Sequence, residues 1–369
     1  MAVANTNNIS TFAPLDQGDL LISTENVTST VWLNNNPTLF AYYTDTTQIN
    51  SATGQFYYNI YHNEETTGSI QFAVAYCDAD GSGSLLYNPN VNGLSPTRTN
   101  YGQYRTLILG DETSAFVFGN KSSSFFYALP VQRSGYKEEL LPGVMTLAIS
   151  GSSTSTGKTL YLTDDSRLGG AAQYSEAGRI YNLVSGSAGT VFTGVNEFGW
   201  SKQSGSYGWF LPDIGTILLN GEALSQSVSD GGICHASVNG FQINRASNTE
   251  VNNPAKLITA LNTGGNVASQ GGVVTTNPGW TLNNQEQLSS DFIFCRARSQ
   301  NFNYSTNPSF ISGSDGAVLY DNFINDPQVY ITTVGLYNND QELVAVAKLS
   351  RPLLKDFTKE LLVRIKLDF

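Results

Sequence analysis

The stretch ITTVGLYNNDQELVAVAKLSRPLLKDF, residues 331–357, sets two alternating apolar runs on either side of a polar knot, Asn338-Asn339-Asp340. Residues 329–337 and 343–349 are β-branched or apolar with small partners, and residues 338–342 carry turn chemistry, so the spacing predicts a β-hairpin. A third alternating run follows at 361–369. It sets Val363, Ile365, Leu367 and Phe369 on one face and Arg364, Lys366 and Asp368 on the other. Period two with one wet face predicts a half-buried antiparallel strand. Such a strand is expected to be tied into a sheet, either of its own domain or of a neighbour by strand addition.

The rest of the chain reads the same way. Only 13% of the 369 residues are charged, about half the usual share of roughly 25%, and Asn, Ser, Thr and Gly stand in their place. Short apolar runs recur at 28–33, 54–61, 69–77, 104–109, 115–118, 124–129, 144–149, 159–162, 179–185, 189–193, 208–212, 216–219, 242–244 and 291–298. Turn signals such as Asp80-Gly81 and Asn220-Gly221 separate them. The expected fold is mainly β: antiparallel sandwich or jelly-roll-like domains with very little helix. One helix is expected at 253–261, with Asn253 at the cap, Pro254 at the first helical position and Gly264-Gly265 as its stop. A weaker helical turn is expected at 135–141. Domain boundaries are placed near 134 and 289. They give an N-terminal β domain (1–133), a central glycine-rich β domain (134–289, a possible insertion) and a C-terminal hairpin with closing strand (290–369) that packs with the N-terminal part.

Charge narrows the function classes. A formal net charge of −11 with scattered Lys and Arg disfavours nucleic acid and anionic membranes. No apolar run approaches the roughly 18 residues of a bilayer span, and the first twelve residues lack the charged and apolar regions of a signal peptide. Folding in a reducing cytosol is expected, with Cys77, Cys234 and Cys295 as three unlinked side chains.

Several motifs tempt a chemical reading. GSSTSTGKT (151–159) has five residues between its first Gly and Gly-Lys-Thr where a P-loop has four, and a strand-like run follows instead of a helix, so a hairpin loop is expected. Asp78 and Asp80 begin a calcium-loop pattern that lacks its closing Glu, leaving an Asp-Gly turn. Asp164-Asp165 also reads as a turn. Cys234 and His235 are neighbours, and on a strand neighbours face opposite ways; His62 is far from both. No cofactor or metal is expected. Trp200, Tyr207, Trp209 and Phe210 lie within EFGWSKQSGSYGWFLPD. They read as core packing, or as aromatics able to contact a glycan or receptor in the case of Trp200, Tyr207 and Trp209.

RARSQNFNYSTNPSF (296–310) and DPQVYITTVGLYNNDQELVAVAKLSRPLLKDF (326–357), with YGQYRTLILGDE (101–112) and YKEELLPG (136–143), resemble virion structural proteins of tailed bacteriophages, in particular the contractile-tailed phages of marine cyanobacteria. The Val-Gly-Leu-Tyr-Asn hairpin is similar to the segment by which tail-collar fibre proteins join a baseplate, although there it lies toward the N-terminus. The resemblance implies a non-enzymatic virion subunit, assembled in the host cytoplasm, that oligomerises with itself and with other virion proteins. A tail or baseplate component that anchors or positions fibres is the leading expectation; a capsid decoration or head-fibre protein, or a glycan- or receptor-binding module, is the alternative. The expected interface comprises Val334, Leu336, Tyr337, Lys348, Arg351 and Phe369.

Overall fold

The segment FFYALP at Phe125–Pro130 shows how this sequence builds its sheet. Phe125, Tyr127 and Leu129 enter one apolar core, while Phe126 and Ala128 enter a second. Side chains of a strand alternate between faces, so a run apolar at every position requires cover on both sides. The same division recurs at Gly208–Leu211, where Phe210 joins the first core and Trp209 and Leu211 the second, and at Thr216–Asn220, where Ile217 and Leu219 part from Leu218.

The computed structural model describes residues 13–44, 57–62, 68–81, 83, 96–151, 159–194, 205–227, 230–234, 241–245, 250–265, 279–312 and 315–368. Its principal strands are β1 (Leu20–Thr30), β2 (Thr38–Leu39), β3 (Tyr57–Tyr61), β4 (Ile70–Asp78), β5 (Phe125–Pro130), β6 (Thr146–Ser150), β7 (Thr159–Asp164), β8 (Gly178–Ser187), β9 (Gly208–Leu211), β10 (Thr216–Asn220), β11 (Trp280–Thr281), β12 (Asn283–Ala297), β13 (Val329–Tyr337), β14 (Leu343–Lys355) and β15 (Leu361–Asp368). The two longest helices are α1 (Thr97–Leu109) and α2 (Asn253–Gly265). Among the described residues strands take 48% and helices 16%, so the fold is mainly β, as the sequence predicts.

The chain forms two compact units, one of Val27–Glu286 and one of Met1–Asn26 with Gln287–Phe369. In the larger unit a curled sheet runs in the order β2–β11–β6–β7–β8–β9–β10–β5–β4–β3, antiparallel throughout. Helix α2 covers one face, placing Leu257, Ile258, Ala260 and Leu261 among Leu147, Ile149, Phe72 and Trp280. Helix α1 covers the other, where Tyr101 and Ile108 meet Phe116, Phe126, Trp209 and Leu218. The expected boundary at 134 is not a division of the chain, because β5 before it pairs along its length with β10 after it.

In the smaller unit β12 is paired on one side by β15, with Ile293 opposite Ile365 and Cys295 opposite Val363, and the sheet order is β1–β12–β15. Strands β13 and β14 form a separate two-stranded hairpin. Its turn rests on Asn338. The Oδ1 of Asn338 accepts N–H bonds from Asp340 (3.0 Å) and Glu342 (2.8 Å), and its Nδ2 donates to the Glu342 carboxylate (2.9 Å). Gln341 turns the chain with φ +64°. β14 runs past the expected end at 349 because the register shifts between Thr333–Lys348 and Ile331–Leu353. That shift leaves room for Pro352, which has no N–H to give to a ladder.

Three local expectations are corrected. Residues 104–109 are the second half of α1, not a strand: Tyr101, Tyr104 and Ile108 follow helical spacing toward one core, and Gly110 ends the helix in the left-handed region (φ +75°). Residues 242–244 form no strand; the Asn253 side chain satisfies Asn244 instead, accepting from its N–H (3.0 Å) and donating to its carbonyl (2.6 Å). At 135–141 a 3-10 turn (Arg133–Gly135) is followed by a short strand (Glu139–Leu140) that pairs with Asn284 and Gln285.

Phe126 is fully buried with ring centroids 4.6 Å from Phe116 and 5.4 Å from Tyr101. Phe126→Ala is expected to destabilise the larger unit by about 3–5 kcal/mol, read as a lower urea midpoint. Val117→Ala, at a side chain 46% exposed, is expected to leave the midpoint nearly unchanged.

Candidate assembly surface

The two units treat apolar residues in opposite ways. Of the 54 buried apolar residues among the described residues, all but Phe310, Val329 and Ile365 belong to the larger unit. Of the 23 exposed large apolar side chains among the described residues, fifteen belong to the smaller unit, which holds under a third of the chain. Both apolar core clusters lie wholly in the larger unit. This uncovered apolar surface makes the smaller unit the candidate assembly surface. A two-stranded hairpin is at best marginal in water without a further strand or a packed face.

On the hairpin, Val334 and Leu336 are half-buried while Tyr337, Lys348 and Arg351 are exposed; Phe369 lies outside the described residues. Tyr330, Tyr337, Leu343, Val344 and Val346 are 47–69% exposed. Sequence reasoning singled out Val334, Leu336 and Tyr337. It passed over Val344 and Val346, although their alternation with Ala345 and Ala347 was visible. Strand β1 adds Leu20, Leu21 and Ile22, all 48–63% exposed.

Polar contacts hold this unit in shape. Lys355 at the end of β14 is fully buried, and its ammonium donates to Ser299 O (2.8 Å), Asn303 Oδ1 (2.7 Å) and Asp356 O (2.8 Å). Burial holds its pKa below the ordinary lysine value, against a smaller opposing pull from Asp356. The cage of acceptors fixes the foot of the hairpin to the segment after β12. At the other strands, Arg364 and Lys366 lie over the Phe292 ring at 5.5 and 5.9 Å, and Arg296 pairs with Asp19 at 3.3 Å.

Most of the described residues that suggested chemistry are engaged within the fold. Asp78 receives a forked Arg245 (2.9 and 2.7 Å) and the Tyr76 hydroxyl (3.0 Å), and Asp80 shares the same guanidinium (2.7 Å). Both carboxylates are thereby spent on a cation the chain itself supplies. Asp164 accepts from the Gly143 N–H and Asp165 from the Asn182 N–H. β7 follows the 151–158 segment and pairs antiparallel with β6, so no helix stands where a P-loop needs one; residues 152–158 lie outside the described residues. Tyr207 is fully buried and donates to Gly231 O (2.6 Å), while Trp209 is buried against Phe118 (4.9 Å) and Phe116 (5.6 Å). Neither ring is open to a ligand. Trp200 and His235 lie outside the described residues. Burial raises the thiol pKa of Cys77 and Cys234, which opposes thiolate chemistry. His62 Nε2 is 2.9 Å from Asn34 Nδ2.

A cleft of about 240 Å³ lies between Trp32, Asn34, Asn35, Gln71 and Gln132. Its central amide is already committed: Gln71 Oε1 accepts from Leu33 N–H and Nε2 donates to Ser69 O. Among the described residues no group of three or more His, Cys, Asp or Glu side chains is placed to hold a metal ion, and no helix is long and apolar enough to cross a membrane. No family model, curated protein or solved structure matches the chain.

Lys355→Met is expected to destabilise the smaller unit by about 3 kcal/mol, since three buried acceptors lose their donor. The folded chain also binds this proton less tightly than the unfolded one. Wild-type stability therefore gains relative to Lys355→Met as pH rises from the depressed folded value toward roughly 10.4. Parallel denaturation curves across that range measure the difference.

Proposed function

We propose that this chain is a non-enzymatic structural subunit of a phage virion, a tail or baseplate component that assembles through its smaller unit and positions fibres. The observation that carries the reading is the inverted apolar distribution of that unit: among the described residues, three buried apolar residues against fifteen exposed large ones. A unit with so little core of its own gains its burial from neighbours, as obligate subunits do. The larger unit, with its two packed cores, supplies a stable body to be carried into the assembly. The resemblance of the 296–310 and 326–357 segments to tailed-phage virion proteins supplies the particle.

Quantitative mass spectrometry of separated heads and tails from particles that carry the chain tests the reading. A tail-fraction count of about six or twelve, as closed ring symmetry requires, is the expected result. A count in the order of hundreds with the heads would make it a decoration protein, and absence from both fractions would end the virion reading.

A further inference from the structure

The outer edge of β14 is a strand edge with no described strand beside it, since β13 and β14 form a two-stranded sheet. Unprotected edges of this kind pair with other chains unless charge, proline or a bulge prevents it. Here Pro352 lies toward the foot of the strand, and the segment nearer the tip, Glu342-Leu343-Val344-Ala345-Val346-Ala347-Lys348, carries a charge at each end only. Read antiparallel against itself about Ala345, this segment is self-complementary. Glu342 stands opposite Lys348, Leu343 opposite Ala347, Val344 opposite Val346, and Ala345 opposite its own copy. Residues directly opposite across an antiparallel pair share a face, and Glu342, Val344, Val346 and Lys348 are all exposed in the hairpin. The register shift between Leu336 and Tyr337 brings Leu343 to the exposed side as well.

We infer that β14 pairs with β14 of a second copy of this chain about a two-fold axis at Ala345, joining two hairpins into one four-stranded antiparallel sheet. The inference deepens the proposed function and rests on it, naming the partner and the strand. Two Glu342–Lys348 pairs, one on each side of the axis, set the register. A shift by one residue in either direction loses both pairs and places Lys348 opposite Gln341 or Leu343. The Asn338-bound turn keeps Glu342 at the end of the strand before any partner arrives: the side chain already accepts the Asn338 Nδ2 at 2.9 Å and has further lone pairs for an ammonium. The apolar pairs between them add cross-strand packing where Val344 and Val346 are now 69% and 58% exposed.

Sedimentation of the purified full-length chain over a concentration series tests this independently of the particle count. The wild type is expected to dimerise. Glu342→Lys and Lys348→Glu, each placing like charges opposite one another twice, are expected to weaken the dimer at least about tenfold. The combined exchange E342K/K348E is expected to restore it. Ala345→Cys is expected to form an intermolecular disulfide on mild oxidation, because directly opposed Cα atoms of an antiparallel pair lie about 4.5–5.5 Å apart, within disulfide reach. Thr333→Cys, on β13 and away from the axis, is expected to remain at the background set by the native thiols. Single reversals that leave the dimer intact, or a chain that stays monomeric throughout, would overturn the strand pairing. The first result would leave the virion reading standing on another surface.

Discussion

Burial on both faces of one sheet is the constraint from which the larger unit follows. Phe125 to Leu129 alternates between two cores with no polar position to spare, so neither face tolerates water. A helix on each side meets that demand. Helix α2 brings Leu257 and Leu261 to one core, and α1 brings Tyr101 and Ile108 to the other. The charged groups drawn inside are matched locally. Asp78, with 1% of its side chain exposed, is held by Arg245, whose guanidinium also lies over the Phe125 ring at 4.5 Å. A buried carboxylate with a forked partner costs far less than one left alone.

The smaller unit meets a different physical situation. Its strands are regular and its turn is well bonded, but its apolar side chains do not find a common interior. Polar contacts hold it in shape: the Asn338 turn, the Lys355 cage and the Arg296–Asp19 pair. Such contacts fix geometry at little net gain in stability. The larger unit packs on itself, while the smaller one keeps most of its large apolar side chains uncovered among the described residues.

Much of this was legible in the primary structure. The alternation of Val363, Ile365 and Leu367 with Arg364, Lys366 and Asp368 specifies β15 and its faces, since period two has one structural solution. Asn338 through Glu342 specifies the hairpin tip through side-chain bonds between near neighbours. Pro254 and Gly264-Gly265 bracket α2. The reading of 104–109 as a strand failed because six residues rich in Leu, Ile and Thr suit either period. The decision came from Tyr101 and Gly110, outside that window. Tyr207 and Trp209 could be read as a surface cluster because local sequence does not say which face a Gly-flanked aromatic meets.

What the sequence determined by itself was the class of fold, the position of the hairpin and closing strand, and the lack of a recognisable chemical motif, all of which depend on residues a few positions apart. The tertiary structure alone decided that Phe125–Pro130 serves two cores, that Asp78 is paired with Arg245 across more than 160 residues, and that apolar exposure gathers in one unit. Those outcomes depend on long-range packing, where burial is set by which elements meet and not by the residues that neighbour each other along the chain.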